Sequence, residues 1–153
     1  MADILTLSGT IISISDDIPA TYDKDGFEAV GVVFTEIGEV ASPPTGGGRT
    51  YEDVTYNLLK DRATVHLKGT YDEAETTFEI VTNRSDAGQI ILRTAHHSDD
   101  YFSFKVAYPD GEIDYYLARV YGIVEDQGDA NSVRRKSVTI RKDPRGVVEV
   151  QPA

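Results

Sequence analysis

Polar and apolar residues alternate over long stretches of this chain, with the period of two that sets one face of a strand against a core and the other against water. Between Ile4 and Ile14, the positions Ile4, Thr6, Ser8, Thr10, Ile12 and Ile14 interleave with Leu5, Leu7, Gly9, Ile11 and Ser13, which predicts a long β-branched strand. A turn at Asp23-Lys24-Asp25-Gly26 precedes a second apolar stretch, Phe27 to Val40, where Gly31 and Gly38 suggest bulges. Further strands are predicted at 51–58, 63–70, 76–82, 101–108, 112–124, 133–142 and 147–150. Pro109-Asp110-Gly111 joins two of them as a hairpin turn, proline presetting one dihedral and glycine supplying the positive one.

One segment has the helical period instead. Residues 86–97 are predicted to form a helix capped by Ser85, with Ala87, Ile90, Ile91, Leu92 and Ala95 facing inward. Residues 41–50, Ala-Ser-Pro-Pro-Thr-Gly-Gly-Gly-Arg-Thr, combine prolines and glycines that suit neither helix nor ladder, so a mobile surface loop is expected there. The sum is a mainly β fold, a β-sandwich or partly closed barrel with one flanking helix, in a single domain over 1–153.

Composition narrows the chemistry. Cysteine is absent, so no disulfide or thiolate is available. The longest apolar runs, such as Val30 to Phe34, fall far short of the roughly 20 residues that cross a bilayer, and no membrane partner is expected. The first residues, Met1-Ala2-Asp3-Ile4, lack the features of a secretory leader, which points to assembly in the cytoplasm where the chain is made. The net charge of -11 repels nucleic acid at long range. It is unevenly spread: the segment 131–153 is basic on an acidic body, suited to internal neutralisation or to the acidic face of a second copy.

No constellation supports an active site. His66, His96 and His97 cannot readily share a metal, because adjacent histidines diverge on a helix and His66 stands alone on a strand. The acidic pairs lie mainly in solvated turns. Asp23 to Gly26 lacks the glutamate that would close a calcium loop, since position 34 is Phe34. Gly46-Gly47-Gly48 lacks the lysine of a phosphate-binding loop, so neither metal nor cofactor is expected. The cluster Arg134-Arg135-Lys136 has no aromatic residue between it and the C-terminus, and a contact with acidic protein surface fits it better than nucleic acid.

The order of several short motifs resembles the major tail tube proteins of long, non-contractile-tailed bacteriophages. They are Thr21-Tyr22-Asp23 with Gly26-Phe27, the stretch through Val32 and Phe34 to Ile37-Gly38-Glu39-Val40, Leu67-Lys68-Gly69-Thr70-Tyr71-Asp72, and Asp86-Ala87-Gly88-Gln89. Tyr101 to Val106, Asp110-Gly111 and Tyr115-Tyr116 continue the likeness. The resemblance implies a non-enzymatic virion subunit whose hexameric rings stack into a tube, with an inner sheet contributing to a ring-wide β-barrel lumen. It implies DNA passing through without specific binding, and tape measure, tail terminator and distal tail proteins as further partners. Ring stacking would then fall to the early loop and the basic end, through Pro43, Pro44, Arg49, Arg134, Arg135 and Lys136. An acidic bore lets DNA slide, and alternation nominates Asp53, Glu79, Glu112 and Asp114 to line it. A contractile-tail or secretion-type tube protein, or a non-catalytic β-barrel binding module, are the alternatives.

Overall fold

The computed structural model describes residues 6–126 and 128–151. Among these residues, nine strands and two helices follow one another as β1 (Ile11–Ser15), α1 (Lys24–Phe27), β2 (Thr35–Glu36), β3 (Thr45–Gly46), β4 (Arg49–Leu58), β5 (Ala63–Glu73), β6 (Thr76–Val81), α2 (Ala87–His96), β7 (Phe102–Ala107), β8 (Ile113–Asp126) and β9 (Arg135–Val150). Seven strands make one antiparallel sheet in the order β2-β1-β7-β8-β9-β6-β3, while β4 and β5 pair only with each other. The fold is mainly β and sandwich-like, as the alternation predicts.

The main sheet buries its α2-facing side around Ile12, Ile14, Phe78, Phe104, Tyr116, Val120, Val138 and Ile140, with Leu92 and Ala95 of α2 packed onto them. A smaller cluster of Phe27, Tyr115 and Leu117 lies on the reverse side, where Phe27 stacks on Tyr115 at 5.3 Å. The edge strands β2 and β3 have only two residues each. Residues 37–44 carry the chain from one edge to the other, a span of at most roughly 28 Å, so the sheet curls around its core without closing.

Several sequence expectations are corrected. The first strand begins at Ile11, because residues 7–10 turn: Gly9 has φ +96 and the Thr10 amide donates to the Leu7 carbonyl at 3.2 Å. Ile4 and Leu5 lie outside the described residues. The stretch 27–40 pairs as strand only at β2 and in an isolated bridge of Val40 with Ile80; Asp23 caps the short α1 by accepting from the Gly26 amide at 2.8 Å, and Asp17 accepts from the Val33 amide at 3.1 Å. Part of the 41–50 loop joins a ladder, Thr45 opposite Thr77, and Gly46, Gly47 and Gly48, all with positive φ, turn the corner into β4. The last two predicted strands are one, β9. Its residues 143–146 bulge opposite Leu117, which is how Pro144 is tolerated inside a central strand.

Asp86, rather than Ser85, caps α2: its carboxylate accepts from the Gln89 amide and from the Gly38 amide, both at 3.0 Å. The buried face of α2 is Gly88, Gln89, Leu92 and Ala95, while Ala87 and Ile90 point outward. Gln89 is fastened by donating to the Gly38 carbonyl at 3.0 Å and the Val81 carbonyl at 2.9 Å. A polar residue on the inward stripe displaces the pattern by one position, and periodicity alone misreads it.

Candidate assembly surface

The β4–β5 hairpin is an arm that no other described element covers. Every residue of β4 is exposed, and β5 is exposed apart from half-buried Val65 and Gly69 and buried Glu73 at its root. The register sorts its side chains by face. Val54 stands opposite Leu67, Tyr56 opposite Val65 and Leu58 opposite Ala63, so one face is wholly apolar. Between them Asp53 faces Lys68, Thr55 faces His66 and Asn57 faces Thr64, so the other is wholly polar. His66 Nδ1 lies 2.9 Å from the Asp53 carboxylate, and the Thr64 hydroxyl donates to Asn57 at 2.9 Å.

The apolar face is not covered: Val54 is 48%, Tyr56 47% and Leu67 51% exposed. A two-stranded ribbon is marginal in water, and an amphipathic one asks for a second layer. Its root, by contrast, is anchored. Arg49 lies over the Tyr71 ring at 4.2 Å, and its Nη2 donates to the Pro144 carbonyl at 3.4 Å. Tyr51 and Tyr71 meet at 5.6 Å across the strands. A register shift between Tyr51 and Asp53 twists the arm where it leaves the body.

A second feature adjoins the root. Asp114 on β8 stands opposite Glu149 on β9, and Glu112, Tyr108 and Lys142 surround them. Burial raises the Asp114 carboxyl, and the charge of Glu149 adds to it against Tyr108 and Lys142. Burial likewise raises Glu112, followed by the charges of Asp114, Asp110 and Glu149. Tyr108 is pushed up to about 12 by burial and then by Asp114. A carboxyl held above its unfolded value stabilises the fold only when protonated; that contribution is present below the unfolded pKa and is lost as pH rises through the folded one. Ionisation of these carboxyls therefore works against the fold.

The residues nominated from sequence fall in different places. Glu112 and Asp114 come together in the acidic cluster. Asp53 sits on the polar face of the arm. Glu79 lies on the face of β6 turned away from Phe78 and Ile80, beside Arg135 at 3.9 Å. Arg134 bonds Glu125 at 2.7 Å and Lys136 approaches the same carboxylate at 3.8 Å, so this basic run engages acidic side chains of its own chain. Pro43 and Pro44 are half-buried ahead of β3. Sequence reasoning missed the apolar arm face, although the alternation in 53–58 and 63–68 carries its signal. It also missed Glu149, Tyr108, Tyr116 and Lys142, which only the strand register gathers.

No family model and no curated protein sequence matches the chain. Solved structures share the fold. A chain of the sheath/tube terminator of an extracellular contractile injection system, PVC, superposes with a TM-score of 0.69 at 11% identity, covering 97% of this chain and 98% of that one. The tail of an empty gene transfer agent particle, of six-fold symmetry, gives a TM-score of 0.65 at 15% identity, over 98% and 100% of the two chains. The SPP1 tail tube gives 0.64 at 9% identity, over 97% and 81%. Across nearly its whole length, this chain has the fold found in tail tubes and in the tube terminator of an injection system.

Proposed function

We propose that the protein is a structural subunit of a bacteriophage tail tube, which assembles with copies of itself into stacked hexameric rings around a channel for DNA. The observation that carries this is the arm: a ribbon with one apolar face exposed along its length, anchored at its root and covered by no layer among the described residues. A sister copy supplies that layer, and the open backbone rims of β4 and β5 can extend into a neighbouring sheet. The shared fold with tube proteins supports the same reading.

In this assembly the apolar arm face packs against the neighbour, which leaves Asp53 on the opposite face free to line the bore; Glu79, on the uncovered side of the sheet, is the second lumen residue we assign. The formal charge of -11 on each subunit keeps the phosphate backbone from adhering, so DNA passes without specific binding. Tape measure, tail terminator and distal tail proteins complete the virion tail, and assembly takes place in the host cytoplasm. The likeness to an injection-system terminator favours a second reading, a tube protein of a contractile apparatus, which uses the same contacts and adds a sheath.

Negative-stain electron microscopy of the purified chain over a concentration series tests the proposal. Hollow stacked rings are expected as concentration rises, and a monodisperse monomer at every concentration contradicts it.

A further inference from the structure

The arm tip and the acidic cluster are complementary in charge and are held apart in one molecule. At the tip, Leu59 is 96% exposed, and Lys60 and Arg62 beside it have no partner among the described residues. At the root, Lys142 and Glu149 border Arg49 and Glu73, where β4 and β5 leave the body. The ten residues of β4 at about 3.3 Å each put the tip roughly 30 Å from that root. A straight arm therefore cannot reach its own cluster, but it can reach another copy's.

The cluster is also short of positive charge. Asp110, Glu112, Asp114 and Glu149 face one lysine, Lys142, whose ammonium lies 4.5 Å from the centre of the Tyr116 ring. Tyr116 is 2% exposed, and its hydroxyl, in the field of Asp114 and Tyr108, has no hydrogen-bond partner among the described residues; neither has Asp114 Oδ1. Buried polar groups of this kind are costly when left unpaired, and a cation brought against exposed Asp110 and half-buried Glu112 lowers the repulsion among the carboxylates around them. Leu7, Pro109 and Tyr108 form its less polar rim.

Resting on the tube reading above, we propose that the cluster at the arm root receives the arm tip of a second copy, Lys60 and Arg62 facing Glu112 and Asp114 while Leu59 seats against Leu7 and Pro109. Root and tip are different surfaces, so the contact is head-to-tail and repeats without limit or closes a ring.

Charge reversal in the full-length chain tests the pairing. Lys60→Glu with Arg62→Glu, and separately Asp110→Lys with Glu112→Lys, are each expected to lower the sedimentable assembled fraction at least tenfold, while each chain stays folded by circular dichroism. Mixed one to one, the two incompetent chains each offer what the other lacks, and assembly is expected to return to within about threefold of the unmodified protein. Because the chain contains no cysteine, Leu59→Cys mixed with Asp110→Cys should also form an inter-chain disulfide on mild oxidation, where Leu59→Cys with the exposed Val30→Cys should not. Reversed chains that assemble normally, a mixture that stays inert, or no preference for Asp110 over Val30 would overturn the pairing while unmodified tubes keep the tube reading. Failure of the unmodified chain to assemble at all overturns both.

Discussion

A chain in which residues 52–70 are replaced by an Asn-Gly turn between Tyr51 and Tyr71 is expected to fold as before and to lose assembly completely. Tyr51 and Tyr71 are paired across the ladder, so a two-residue turn closes there without strain. The removed residues bury almost nothing: β4 is exposed throughout, and the arm's apolar side chains lie outside both core clusters. Surface changes of this kind alter stability by about 0.5 kcal/mol, which corresponds to a shift in thermal midpoint of no more than ~2 °C. Thermal unfolding followed by circular dichroism and sedimentation of the assembled fraction would be read together. A truncated chain that still polymerises would remove the arm from the assembly mechanism, and one that unfolds would make it a part of the core.

Gly88→Ala is expected to produce a large loss of stability from a single methyl group. A Cβ at position 88 would lie 2.3 Å from the Glu36 carbonyl oxygen and 2.6 Å from Ile37 Cα, both backbone atoms at the edge of the sheet. Backbone does not swing aside as a side chain does, so α2 must lift from β2 and loosen Leu92 and Ala95 in the core. Overpacking of this order costs roughly 2–3 kcal/mol. For a chain of 153 residues the midpoint falls by roughly 5–10 °C. Gly31→Ala is the control, since nothing lies within 4 Å of its added methyl, and it should shift the midpoint by under ~2 °C. Equal midpoints for the two variants would mean that the close packing of α2 on β2 does not limit stability.

How much of this was legible beforehand varies from element to element. The strands β5, β7 and β8 and the Pro109-Asp110-Gly111 turn follow from alternation and turn chemistry, because each of these strands pairs with its neighbour along the chain. The first third was misread for a local reason: β-branched residues such as Val32 and Val33 favour extended backbone, yet tertiary hydrogen bonds to Asp17 and the cap at Asp23 decide the path. Pro144 and Gly146 read as a break between strands, and only the opposing Leu117 turns that break into a bulge in one continuous β9. The arm was read as two strands, but a sequence does not say whether an alternating strand faces its own core or none. The acidic cluster was half legible, since Glu112 and Asp114 are two apart on one strand, whereas Glu149 joins them through the pairing of β8 with β9.

The same limit applies to charge. The polarity between an acidic body and a basic final segment is plain in the sequence, but where those cations go is not. Arg134 and Lys136 meet Glu125, and Arg135 meets Glu79, on adjacent strands of one sheet. Lys60 and Arg62, at the end of the arm, draw no notice in a count of charges, and it is the fold that leaves them without a counterpart among the described residues.

Hydrogen–deuterium exchange of the β4 and β5 amides, compared between dilute subunit and assembled material, tests the central claim directly. Sister copies are expected to cover the arm, so its amides should exchange rapidly in the subunit and slow by at least tenfold on assembly, while core strands β7 and β8 stay protected in both. An arm already protected in the lone subunit, or one that exchanges just as fast in the assembly, would contradict the account.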